Sequence, residues 1–246
     1  MFAVEGDGLS ALENIAFAAE WKLTVPVVTL SESQMPSWDT KTMPNTYVLN
    51  AAGVLVFKGA EGWDDIVTKE LAKRPYPGIN KDKVEKECEK AAQSFAKGDY
   101  SKARELAQAA LDAKPGEKAE ADAQLILDAA KKRADYLRGA ADAAKGEKRF
   151  DIALAMLDAL ASGFKGSEEG NAAAEEAKAL RADKDAKKEA SAWGTLQKTL
   201  AGNKALKTKQ DKVKSLRGLQ KSLEGTAAAS QAREIANAIE NSSLYK

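Results

Sequence analysis

Histidine is absent from all 246 residues. Without it the chain lacks the side chain that most often moves protons near neutral pH. Ser-His-Asp and Cys-His nucleophiles and the commonest zinc ligand go with it. Cysteine occurs once, as Cys88, which rules out an intramolecular disulfide, a CxxC pair and a cysteine-built zinc site. Charge of one sign is lacking too: Lys+Arg 38 against Asp+Glu 37 leave +1, so nothing global pulls the chain toward nucleic acid or anionic lipid. No apolar run approaches the roughly 20 residues of a membrane span. Met1–Gly6 has neither the basic nor the apolar stretch of a signal peptide. As written, the chain reads as soluble and cytoplasmic, and as extracytoplasmic if a signal peptide lies upstream of Met1. Neither a phosphate-binding glycine loop nor a GxSxG nucleophile turn occurs, so the sequence calls for no cofactor and no metal.

What is present divides near residue 78. Residues 1–78 hold five of the six prolines, three of the four tryptophans and eight of the ten valines. Residues 79–246 hold 39 alanines, against nine before them, and the two parts carry −4 and +5. Valine, aromatics and proline favour strands and turns, whereas alanine, leucine, lysine and glutamate favour helices. The fold class expected is α/β followed by all-α, the second part built of antiparallel helical hairpins. Arg74-Pro75-Tyr76-Pro77-Gly78 cannot continue a helix. The expected organisation is therefore an α/β segment over 1–74, a linker over 75–80 and a helical region over 81–246.

Within the first part, Phe2–Glu5 reads as a strand. Ser10 and Glu13 have capping-box spacing, and Leu12, Ile15, Ala16 and Ala19 form a helical stripe. Val25–Leu30 is extended, with Pro26 suiting an edge strand. Thr46–Asn50 and Val54–Lys58 around Ala51-Ala52-Gly53 read as a hairpin. Asp64-Asp65 open a helix through Ile66, Val67 and Leu71, favoured there by the helix dipole. This order, with the run Met43-Pro44-Asn45-Thr46-Tyr47-Val48-Leu49-Asn50-Ala51-Ala52-Gly53-Val54, resembles the C-terminal two-thirds of a thioredoxin-like redoxin domain. The resemblance implies an α/β/α segment and a cis bond before Pro44, with Met43 and Pro44 as the loop that meets a substrate disulfide. It also implies a central strand ending in Trp-Cys-x-x-Cys, which would precede Phe2 and is not among these residues. Three accounts stand open: a reading frame that starts upstream, a partner that supplies the strand, or a remnant that closes differently.

The second part repeats weakly. Phe95, Gly98-Asp99-Tyr100, Ala103, Ala107 and Ala110 can be set against Gly146, Phe150, Ala153, Leu157 and Leu160. Phe164-Lys165-Gly166-Ser167 parallels Leu223-Glu224-Gly225-Thr226. The pattern resembles a tetratricopeptide-type array, although it lacks a constant 34-residue spacing and the tryptophan-leucine-glycine signature. Helices are expected over Lys81–Lys97, Tyr100–Ala113, Ala119–Ala144, Phe150–Ala161, Asn171–Leu200, Lys207–Leu223 and Thr226–Glu240. The basic run Lys204–Lys221 has no interleaved aromatic for base stacking and reads as a solvated face. Cys88, between Glu87 and Glu89, reads as a packed small residue, because neighbouring carboxylates raise a thiol pKa. Glu168-Glu169 are helix-start carboxylates, and Trp63 caps a core.

These readings name no catalytic residue. They describe a thioredoxin-like domain protein with a helical-repeat protein-interaction region, redox-inactive because the dithiol is absent. Two alternatives accompany it: a thiol-disulfide oxidoreductase whose CxxC lies upstream of the given start, and a non-catalytic scaffold. The expected partners are proteins docking through the helical region, not nucleic acid or a membrane.

Overall fold

A computed structural model describes residues 3–5, 10–20, 27–29, 46–50, 54–59, 61–79, 81–114 and 116–242. Short strands and two helices come first and helices alone follow, in agreement with the coarse class expected. The chain forms two compact units. One comprises Met1–Trp38, Ala141–Ala155 and Lys178–Lys246; the other comprises Asp39–Ala140 and Met156–Ala177.

In the first unit β1 (Ala3–Glu5) pairs in parallel with β2 (Val27–Thr29), Val4 opposite Val28. Between them runs α1 (Ala11–Glu20). The capping box forms as its spacing predicts: Ser10 N donates to Glu13 Oε2 at 2.8 Å and Glu13 N to Ser10 Oγ at 3.3 Å. α1 packs on α8 (Lys184–Gly202) and α10 (Ala227–Asn241), and α9 (Lys209–Ser222) forms an antiparallel hairpin with α10. Their shared core holds Ala16 with Trp193, Leu196, Leu200, Leu216, Leu219, Ala232, Ile235 and Ile239, and Leu12 and Ala19 pack against it.

In the second unit β3 (Thr46–Leu49) and β4 (Leu55–Gly59) form the expected antiparallel hairpin, with an irregularity between Val48 and Leu49. α2 (Trp63–Ala72) packs on it. No described residue between Thr46 and Gly78 is buried, and Leu71 is 66% exposed. Among the described residues Trp63 therefore caps no closed core. Residues 75–79 hold bends and turns, and Tyr76 bridges Lys81.

The helices that follow are α3 (Glu89–Ala96), α4 (Tyr100–Asp112), α5 (Glu117–Gly146), α6 (Phe150–Gly163) and α7 (Glu168–Ala182). Tyr100 packs edge-on to Phe95 and tilted against Phe164, with ring centroids 5.0 and 5.1 Å away. Side chains cap the helices at these reversals. Asp99 caps α4 through Lys102 N, Ser167 Oγ accepts from Gly170 N, and Thr226 Oγ1 accepts from Ala229 N.

The structure corrects two helices. The one expected over Asn171–Leu200 is two, because Asp183 leaves helical geometry at ψ 128° and its carboxylate caps α8 through Ala186 N at 2.7 Å. The one expected from Lys81 starts later, as a 3-10 turn at Lys86–Cys88 running into α3. Buried Asp122 of α5 takes Glu85 N at 2.7 Å and the Lys81 ammonium, so Lys81–Glu85 is held by a distant partner rather than by its own helix. The described strands form two separate two-stranded sheets.

Candidate functional site

Met43 and Pro44, with the bond between them, lie outside the described residues. Cys88 is fully buried and donates its thiol to Ala119 O at 3.2 Å. Burial first, then the carboxylates of Asp122, Glu87 and Glu85, push that thiol above its ordinary range, with Lys81 pulling the other way. A high pKa and no exposure make a poor nucleophile. Among the described residues no group of three or more Cys, Asp or Glu is placed to hold a metal ion, and no helix is long and apolar enough to cross a membrane.

The feature with binding geometry lies within the first unit: an open groove of about 1060 Å³. Three helical stripes and one turn build it. α8 supplies Trp193, Leu196, Gln197, Leu200 and Ala201, and α10 supplies Ala227, Ser230, Gln231 and Glu234. Both sets follow the i, i+3, i+4, i+7 spacing of one helix face. α1 adds Ile15, Ala18 and Ala19, and the α5–α6 turn adds Glu147, Lys148 and Arg149. Ile15 was part of the apolar stripe read from the sequence. Ala16 of that stripe enters the core, Leu12 and Ala19 pack against it, and Ile15, 46% exposed, stays on the groove wall.

Trp193 is fixed from two sides. Its Nε1 donates to Lys148 O at 3.1 Å, and the Arg149 guanidinium lies 4.2 Å from its ring centroid. Arg149 is in turn held by both oxygens of Asp151, at 3.0 and 2.9 Å. A cation stacked on indole and oriented by a carboxylate is a rigid arrangement. The lining carries charges of both signs, Lys148 and Arg149 with Glu147 and Glu234. Such a surface suits an apolar anchor with hydrogen-bonding groups around it, not a polyanion. The groove offers a ligand an apolar wall with amide, hydroxyl and charged groups beside it.

The sequence reading passed over Trp193 and Arg149. Two signals pointed to the tryptophan, which is the one after residue 78 and opens the stripe Trp193, Leu196, Leu200, and none pointed to Arg149. The basic run Lys204–Lys221 is partly used inside the unit: Lys209 donates to Ser242 O, Lys212 pairs with Glu20, and Arg217 pairs with Glu240. No protein-family model, curated protein or solved structure matches the chain.

Proposed function

We propose that this chain is a binding protein rather than a catalyst. Its helical region, 81–246, is a protein-interaction surface, and residues 1–74 are a thioredoxin-like segment that is redox-inactive without a dithiol. The observation that carries the reading is the open groove beside Trp193. Its occupant is a partner polypeptide that lays an apolar side chain along Ile15, Ala18 and Ala201 and satisfies Gln197, Gln231 and Ser230 with its own polar groups. Helices commonly receive peptide partners in this way.

The test uses the dye 8-anilinonaphthalene-1-sulfonate as an apolar probe. Its fluorescence should rise on the full chain and fall several-fold with Ile15→Glu or Ala201→Glu, while circular dichroism stays unchanged. Equal fluorescence in all three proteins would refute the groove as the docking site.

A second reading draws on the hairpin β3–β4 and α2, which bury no described residue between Thr46 and Gly78. A strand from elsewhere would cover them, as in a redoxin whose CxxC lies upstream of Met1. An in-frame upstream coding sequence with Cys-x-x-Cys favours that reading, and a stop codon close upstream removes it.

A further inference from the structure

The groove does not end at Ser230. Lys148, Ala227 and Ser230 also line a second cavity of about 430 Å³ at the α9–α10 turn, within the same unit. Its further lining includes Gln220, Glu224, Gly225 and Arg233, so it is polar where the groove is apolar.

Three cations from three elements surround it. Lys148 comes from the α5–α6 turn and Arg233 from α10. Lys188 of α8 reaches Gly225, where a Cβ would lie 3.8 Å from its Nζ. None of these three cationic heads is bonded to or paired with an acid among the described residues. Other cations of the unit are matched: Arg149 by Asp151, Lys212 by Glu20 and Arg217 by Glu240. Two acids stand beside the three. Buried Glu189 turns both oxygens to Ala227 N, at 3.2 and 3.0 Å, and Glu224 is exposed. The cavity therefore keeps one positive charge in excess.

Unmatched positive charge beside an apolar wall selects an anion that carries an apolar neighbour. Backbone groups add little here. The N–H groups of Thr226, Ala227 and Ala229 are already bonded, to Leu223 O, Glu189 and Thr226 Oγ1. Capture of a chain-terminal carboxylate relies on a cradle of free amides, whereas side-chain cations suit an acidic side chain within a segment. Given a peptide in the groove, as proposed above, we infer that it carries an aspartate or glutamate next to its apolar anchor. The carboxylate sits among Lys148, Lys188 and Arg233, and the anchor lies along Ile15, Ala18 and Ala201.

Two dyes separate the charge from the wall. 8-Anilinonaphthalene-1-sulfonate joins an apolar ring system to an anion, and N-phenyl-1-naphthylamine is the same ring system without the sulfonate. Titrated into the full chain, the sulfonate should bind roughly tenfold tighter than the neutral dye. The double variant Lys188→Glu/Arg233→Glu should remove that advantage and leave the neutral dye's affinity unchanged. Ile15→Gln, which brings no charge, should weaken both. Equal affinities that Ile15→Gln lowers together would overturn the acidic occupant and leave the groove reading standing. Indifference of both dyes to Ile15→Gln would remove the groove reading, and the acidic occupant with it.

Phage-displayed random peptides, fused through their C-termini and so offering only side-chain carboxylates, extend the test to polypeptides. Selection on the full chain should enrich sequences that join an aromatic or aliphatic residue to Asp or Glu. Selection on Lys188→Glu/Arg233→Glu should lose the acidic preference. Enrichment of apolar peptides without acidic residues on the unaltered chain would overturn the inference.

Discussion

At the scale of single residues, the sharpest local contrast is between two helix ends of the same design. Gly98 and Lys148 both end a helix with positive φ, 81° and 55°. Each is followed by a residue whose amide reaches back into the helix, Asp99 N to Ser94 O and Arg149 N to Ala144 O. Glycine suits that conformation and lysine does not. Lys148→Gly should stabilise the protein by about 1 kcal/mol while keeping the carbonyl that Trp193 uses. Gly98→Ala should cost about 1 kcal/mol, purely from backbone strain, since a Cβ there meets nothing within 4 Å. Urea midpoints moving in opposite directions would confirm both. A second residue-scale prediction concerns acid. Burial raises the Glu169 carboxyl, but hydrogen bonds from its own backbone, Ser167 and Arg104, with the Arg104 charge, outweigh it and hold its pKa below the ordinary carboxylate range. A depressed folded pKa gives stability that is complete above the unfolded value and is lost as pH falls through the folded one. Arg104→Met should therefore narrow the gap between urea midpoints at neutral pH and at about pH 3.

Among elements, the α6–α7 reversal is the least tolerant. A Cβ on Gly170 would overlap Phe164 O, a backbone atom that cannot swing aside. Gly170→Ala should cost about 3 kcal/mol. Gly139, in the middle of α5 with open space around it, should gain about 1 kcal/mol on the same change. The strands stand at the other extreme. With no buried residue between Thr46 and Gly78, amides of β3 and β4 should exchange with deuterium far faster than those of α4 and α6. Comparable protection would mean that the hairpin has a cover not seen among the described residues. The turns were legible in the sequence because Gly98-Asp99, Gly166-Ser167 and Gly225-Thr226 carry their chemistry locally, whereas the caps that Asp99, Ser167 and Thr226 supply came only with the structure. The break at Asp183 was less legible. Lys184-Asp185-Ala186-Lys187 favours helix on its own account, and Asp183 reveals its role only through the Ala186 amide. Lys81–Glu85 was illegible in principle, since Asp122 shapes it from 37 and 41 residues away. The groove was hidden for the same reason. Its stripes are visible one helix at a time, and only the packing of α1, α8 and α10 joins them.

For the whole molecule, two outcomes follow from its single buried thiol and its uneven burial. Insulin-disulfide reduction should show no turnover, because one thiol without a resolving partner cannot regenerate itself within the chain. Activity lost on Cys88→Ser would make that residue a site after all. Limited trypsin digestion should cut first around Lys69–Arg74, where exposed side chains flank the end of α2, and should leave a fragment that begins near α3. A surviving hairpin with digested helices would contradict the burial pattern. The distance along the chain from Glu20 to Lys212 has a further consequence, set by the direction of protein synthesis. Ribosomes add about 5–20 residues per second, so the 192 residues between the two partners take roughly 10–40 seconds to make. Through that interval the nascent α1 waits without its receptor.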